Sequence, residues 1–245
     1  DNIIFVQEGN AGGGFTLSDG VQVRSVGPVQ ALNTQFGDVI LPGSGSGNLP
    51  TVTDTAIVGS NSLISGLEID PTAQQREDTE EVLGLAAARQ IVNGIVVHGE
   101  NVAIEDNVIA NVDRGINLPD IDGTVSIIRN QISNTTREGI FFGDIDGIDN
   151  ATVTIADNTL EALGDVGIEF DFIDDDVIAN IEVVNNQITN AQDDGIFFDN
   201  ITDRAIATIT ISENVITGGK DGIDFDFITD DANATITVNN NQISD

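Results

Sequence analysis

The chain has 245 residues, of which 41 are acidic and eight are basic, so its formal net charge at pH 7 is −33. This excess of carboxylates argues against binding to nucleic acid or anionic lipid, because both need Lys and Arg to displace counterions. Cysteine is absent, which excludes disulfides and thiolate metal sites, and no run of about 18 apolar residues predicts insertion into a membrane.

Residues 1–70 predict irregular coils of β structure. Alternating or β-branched segments separated by glycine-rich turns predict strands within Gly14–Val23, Asp38–Leu41, Ala56–Val58 and Leu63–Ile69. Residues 71–90 interrupt the pattern, because Ala, Gln, Glu and Leu dominate there. We expect this segment to be an inserted loop or short helix at a turn.

Residues 91–245 contain a tandem repeat. A Gly-Ile pair recurs at Gly115, Gly139, Gly167, Gly195 and Gly222, with spacings of 24, 28, 28 and 27 residues. An Asn two positions before Ile or Leu recurs with spacings of 23, 28, 28, 28 and 27 residues, at Asn107, Asn130, Asn158, Asn186, Asn214 and Asn241. Repeats of 20–50 residues are typical of solenoids.

Each repeat contains three short strand patterns. Apolar and polar residues alternate in segments such as Thr208–Ile211, again after each Gly-Ile pair, and more briefly after each signature Asn. Period-two alternation indicates strands with one buried face. The sequence therefore predicts an all-β, right-handed parallel β-helix of about eight or nine coils, forming one domain over residues 1–245.

Stacking gives the repeated residues structural roles. We predict that the six asparagines form a ladder in which each amide bonds to the next coil and the Asn backbone adopts the left-handed αL conformation. The glycine before each Ile is predicted to supply a tight corner through its freedom in φ.

The chain resembles the β-helix proteins of the pectate-lyase-like superfamily. The segments FTLSDGVQV, LPGSGSGNLPTVT and LISGLEI, within Gly14–Ile69, are most similar to large secreted or surface β-helix proteins of cyanobacterial type. This resemblance implies a fold and an extracellular or cell-surface location. It does not select an activity, because the superfamily includes lyases, hydrolases, epimerases, tail spikes and adhesins.

Acidic residues follow each Gly-Ile strand and suggest a cation site. Stacked carboxylates repel one another across about 4.8 Å, and Ca²⁺ would neutralise them with oxygen ligands. The candidate Ca²⁺ ligands are Asp171, Asp174, Asp199, Asp203, Asp226 and Asp230. The alternative is a solvated acidic loop, since neither the EF-hand nor the nonapeptide calcium pattern is present.

Two aromatic residues are candidates for ligand binding. Phe141 and Phe197 occupy outward positions that alternate with Glu169 and Asp224, where they would stack on a sugar or cover a neighbouring loop. No catalytic residue is predicted, because Asp193-Asp194 resembles the paired aspartates of polygalacturonases but occupies the repeat's own corner.

The preferred functional hypothesis is a non-catalytic secreted or surface module for adhesion, matrix building or binding of a polysaccharide or surface glycan. A polysaccharide lyase or glycoside hydrolase is the first alternative. A filament protomer that associates head to tail is the second, because uncapped solenoid ends expose strand edges.

Overall fold

The computed structural model describes residues 2–35, 37–71, 91–146 and 150–244, and within these residues all regular structure is β. The strands form three long parallel sheets, A, B and C, which each coil visits in that order. Apart from Pro71, the segment predicted to be an insertion lies outside the described residues.

The strand bounds follow from this order. Sheet A contains β1 (Asn2–Val6), β4 (Val21–Ser25), β9 (Leu63–Ser65), β12 (Val102–Glu105), β15 (Thr124–Ile128), β18 (Ala151–Ala156), β21 (Ile178–Val184), β24 (Ile206–Ser212) and β27 (Asn233–Asn239). Sheet B contains β2 (Asn10–Gly12), β7 (Thr51–Val52), β10 (Glu68–Ile69), β13 (Val108–Ala110), β16 (Gln131–Thr135), β19 (Thr159–Leu163), β22 (Gln187–Ala191), β25 (Val215–Thr217) and β28 (Gln242–Ser244). Sheet C contains β3 (Phe15–Leu17), β8 (Ala56–Val58), β11 (Asn93–Val97), β14 (Arg114–Leu118), β17 (Ile140–Ile145), β20 (Ile168–Ile173), β23 (Ile196–Ile201) and β26 (Ile223–Ile228).

The predicted right-handed β-helix is confirmed, with three strands per coil and nine, nine and eight strands in the described parts of the three sheets. One predicted strand was assigned to the wrong structure. Residues 38–41 were expected to form a coil strand, but β6 (Gly37–Ile40) pairs antiparallel with β5 (Ala31–Thr34). This hairpin branches from the connection between β4 and β7.

The core consists of rows of identical or similar side chains that run along the solenoid. Ile104, Ile127, Ile155, Val183 and Ile211 are in register in sheet A and are fully buried. In sheet C the rings of Phe142, Phe170, Phe198 and Phe225 stack with centroid separations of 4.6, 4.4 and 4.7 Å. Parallel register places equivalent residues above one another, so each coil buries the apolar row of its neighbours.

The six signature asparagines lie in one row at the corner between sheets A and B. In the first five, the side-chain Nδ2 donates to the Oδ1 of the next Asn at 2.9–3.1 Å, and the backbone N–H donates to the same oxygen at 2.8–3.1 Å. The prediction that these residues adopt positive φ is wrong. The αL residue is the one immediately before each ladder Asn, such as Asp157 (φ 59°) and Asn185 (φ 54°).

The repeated glycines also have a different role from the predicted one. Gly115, Gly139, Gly167, Gly195 and Gly222 do not have positive φ. They are needed because there is no room for a Cβ atom: at Gly167 it would lie 2.3 Å from the Gly195 carbonyl oxygen and 2.7 Å from Ile188 Cγ2. The glycine row lets sheet C pass close to the isoleucine and leucine side chains of sheet B.

Candidate binding groove

The outward face of sheet C carries an alternating row of aromatic and acidic side chains. Phe141, Glu169, Phe197 and Asp224 are in register on β17, β20, β23 and β26. Strand spacing separates successive members by about 4.8 Å. Glu169, Phe197 and Asp224 are partly buried and retain exposed surface.

Charged residues form a second row at the corner that precedes these strands. Backbone hydrogen bonds place Arg137 over Asp113, Asp193 over Asp165, and Lys220 over Asp193. Beside this row, the buried carboxylates of Glu138 and Asp194 occupy the position before the repeated glycine. The corner row and the outward row are the two walls of one depression.

We call this depression the sheet C groove. It has a volume of about 410 Å³ and is bounded by corner residues 137–138, 165–166, 193–194 and Lys220, with Glu169, Phe197, Asp224 and Asp226 on the strand side. Seven of its lining residues are acidic and two are basic. An aromatic ring among carboxylates suits a ligand that presents both apolar faces and hydrogen-bond donors.

Ion pairs anchor one end of the groove. Arg114 Nε donates to Glu138 Oε2 at 2.5 Å, and the Arg114 guanidinium lies 3.6 Å from the centroid of the Phe141 ring. Arg137 contacts the other oxygen of Glu138 at 3.3 Å. Phe141 is therefore covered and only 8% exposed, so of the two aromatic rings predicted to bind a ligand only Phe197 lines the groove.

Glu169 has the most perturbed carboxyl group of the groove. Burial, together with the charges of Glu138, Asp171 and Asp165, raises its pKa to about 7, although Arg114 opposes this effect. The pKa of Asp165 is raised by burial and by Glu138 and Asp193. Raised pKa values for carboxylates in a cleft are frequent at functional sites. Near neutral pH, Glu169 can therefore either donate or accept a proton.

The predicted row of Asp171, Asp199 and Asp226 lies farther along the same strands. The flanking register pairs place these residues above one another on the outward face. Burial, the charge of Asp199 and a hydrogen bond with its side chain raise the pKa of Asp171. A raised pKa favours the neutral form of Asp171, which lessens the charge repulsion within the row.

The other three predicted ligands lie in the turns that connect sheet C to sheet A. In each turn a carbonyl accepts from the N–H three residues later, as in Asp174 to Val177 and Thr202 to Ala205. Both central residues have positive φ, as in a type I′ turn, at 175–176, 203–204 and 230–231. Asp174 occupies the first turn position, whereas Asp203 and Asp230 occupy the second. The three carboxylates therefore do not form one row.

Two carboxylate oxygens beside these turns are buried and have no hydrogen-bond partner. They are Asp144 Oδ1 and Asp174 Oδ1. Burial and the charges of Asp174 and other acids raise the pKa of Asp144 to about 6. Within the described residues, no group of three or more His, Asp or Glu side chains is arranged to hold a metal ion. A cation here would depend on backbone carbonyls and water for its remaining ligands.

The sequence pattern did not predict the basic side of the groove or the role of its corner. Arg204 does not line the groove, and its guanidinium pairs with Asp176 at 2.6 and 2.7 Å on the surface. Arg114, Arg137 and Lys220, which lie next to the groove acids, all precede a repeated glycine by one or two positions. That shared spacing was the available signal.

The fold places the chain among right-handed β-helix repeat proteins. A family model described as a right handed beta helix region matches residues 86–200, which include the central coils and much of the groove. No curated protein and no solved structure is significantly similar to the chain. No helix within the described residues is long and apolar enough to cross a membrane.

Proposed function

We propose that the chain is a non-catalytic binding module of a secreted or cell-surface protein, and that the sheet C groove binds a polysaccharide. The observation that carries this proposal is the position of Phe197 between Glu169 and Asp224 in one outward row. A pyranose ring can stack its C–H face on Phe197 while its hydroxyl groups donate to the two carboxylates. The same groove would serve adhesion or matrix contact.

Affinity electrophoresis through gels that contain single polysaccharides tests this function. We expect at least one polysaccharide to retard the protein, and Phe197→Ala to remove most of the retardation. Phe172→Ala is the matched control, because Phe172 is an outward-facing, 39% exposed residue of sheet C that does not line the groove. Failure of a broad panel of neutral, acidic and amine-bearing polymers to retard the protein contradicts the proposal.

We also propose that Ca²⁺ binds the acidic flank, with Asp144 and Asp174 as its central ligands. The other predicted ligands, Asp171, Asp199, Asp203, Asp226 and Asp230, lie farther along the same flank. The orphaned oxygens of Asp144 and Asp174 support this proposal. Binding to the folded state raises the melting temperature in proportion to the logarithm of ligand concentration. Calorimetric melts with millimolar Ca²⁺ and with EDTA should therefore differ in the native protein and not in Asp174→Asn. Identical melts of the native protein exclude the cation.

Glycoside hydrolysis is a second candidate, and Glu169 favours it. Its pKa of about 7 suits a general acid. Asp224 lies two strands away in the same row, so the Cα atoms of Glu169 and Asp224 are about 10 Å apart. Inverting glycosidases hold their two carboxyl groups roughly 6.5–9.5 Å apart so that water fits between them. Release of reducing ends by the native protein, with loss of activity in Glu169→Gln and retained binding, would establish this activity.

Head-to-tail assembly is a further proposal, and it concerns the inward row of sheet A. Ile4 and Val238 belong to the inward row of sheet A, yet each is 50% exposed. Stacking of one copy on another would bury both residues. Filaments in electron micrographs that disappear in Val238→Asp would support assembly, and a monomer by light scattering at high protein concentration would exclude it.

A further inference from the structure

The electrostatics of the sheet C groove indicate which kind of polysaccharide it takes. Seven carboxylates and two bases line the groove. Both bases are already paired within it, Arg137 with Glu138 at 3.3 Å and Lys220 with Asp193 at 3.5 Å. The lining therefore keeps a net negative charge that no groove side chain compensates, and a cleft of one sign concentrates counter-ions of the other.

The uncompensated charge is concentrated at one level of the solenoid. The corner row alternates in sign at Asp113–Arg137 and Asp193–Lys220, but Asp165 and Asp193 are successive acids. Asp165 and Glu169 form no ion pair with any base in the part of the chain that the structure describes. Phe197 is in register with Glu169 on the next strand, and it lines the same groove as these two acids.

We propose that the ligand is a polysaccharide with free amino groups, and that one ammonium group binds between Asp165 and Glu169 while its sugar ring stacks on Phe197. This inference rests on the proposed polysaccharide-binding function and narrows its ligand class. An ammonium group supplies three donors and one positive charge, and it is also attracted to an aromatic face. Uronic acid polymers are disfavoured, because each residue would add a like charge to the groove.

Titration calorimetry at pH 7 and low ionic strength tests the inference with three oligomers of equal length: glucosamine, N-acetylglucosamine and galacturonic acid. The first two share a backbone, and only the free amine can become an ammonium group. We expect the glucosamine oligomer to bind at least about tenfold more tightly than the acetylated one, which is a difference of about 1.4 kcal/mol. No binding of the galacturonic acid oligomer is expected, and added salt should weaken glucosamine binding.

The double variant Asp165→Asn/Glu169→Gln should lose this preference, so that the free-amine and acetylated oligomers bind it with similar affinity. The matched control is Glu161→Gln/Glu182→Gln, which removes the same charge from exposed positions on sheets B and A. If the acetylated oligomer binds as tightly as the free amine, the inference fails and the proposed function stands. If no oligomer binds, the inference fails, and the panel of polysaccharides decides the proposed function. If the control variant weakens binding of the glucosamine oligomer equally, overall charge explains the effect, and the inference is also overturned.

Discussion

Single residues in this fold are constrained by the coil directly above them. A Cβ atom at Gly167 would overlap the carbonyl of Gly195 and the side chain of Ile188. We therefore expect Gly167→Ala to lower the free energy of unfolding by about 1–3 kcal/mol, the usual cost of overpacking, and the melting temperature by several degrees. Gly13→Ala is the control, because nothing lies within 4 Å of the added atom and φ is not positive there. Equal effects of the two substitutions would contradict the close-approach role.

The fold could be predicted at the scale of the strand, because its signals are periodic. Alternation identifies the buried face, and repeat spacings of 27–28 residues fix which strands are in register. The roles of the glycines could not be read in the same way, since Gly in a sequence denotes either positive φ or missing space. The rows to which the turn acids belong were also ambiguous. Buried positions are two residues apart up to Phe170, but the next one, Ile173, follows after three residues. This change of spacing alters the row that each later Asp joins. The groove joins a corner to a strand face, and a linear pattern does not display that relation.

Turn elements explain part of the acidity without invoking a ligand. Asp175 and Asp176 both have positive φ, a conformation that Asp and Asn tolerate better than most residues. The charge of Asp175 also contributes to the raised pKa values of Asp144, Asp146 and Asp174. Asp175→Asn keeps the turn conformation and removes that repulsion, so we expect its melting temperature at pH 7 to be higher by about one or two degrees. The same substitution at pH 4 should have a smaller effect, and a lower melting temperature at pH 7 would mean that the carboxylate stabilises the turn.

The whole molecule combines these local repulsions into a dependence of stability on pH. Burial raises the pKa of Glu169 to about 7 and that of Asp144 to about 6, above their usual values in an unfolded chain. Between about pH 5 and pH 8 the folded chain therefore binds more protons than the unfolded chain, so the free energy of unfolding falls as pH rises. The cost of ionising these two carboxyl groups in the folded chain is absent below their pKa values in the unfolded chain. It is complete above their pKa values in the folded chain. We expect calorimetric melts to show a melting temperature several degrees higher at pH 5 than at pH 8.

Glu169→Gln separates this effect from the general repulsion of 33 net negative charges. The neutral amide cannot ionise, so the variant should melt at a higher temperature than the native protein at pH 8 and at nearly the same temperature at pH 5. Glu182→Gln removes one exposed charge on sheet A and should change both melts only slightly. If the two variants respond alike, net charge governs the profile. A larger response in Glu169→Gln locates the destabilising repulsion in the sheet C groove. A ligand ammonium beside this carboxylate would relieve the same repulsion.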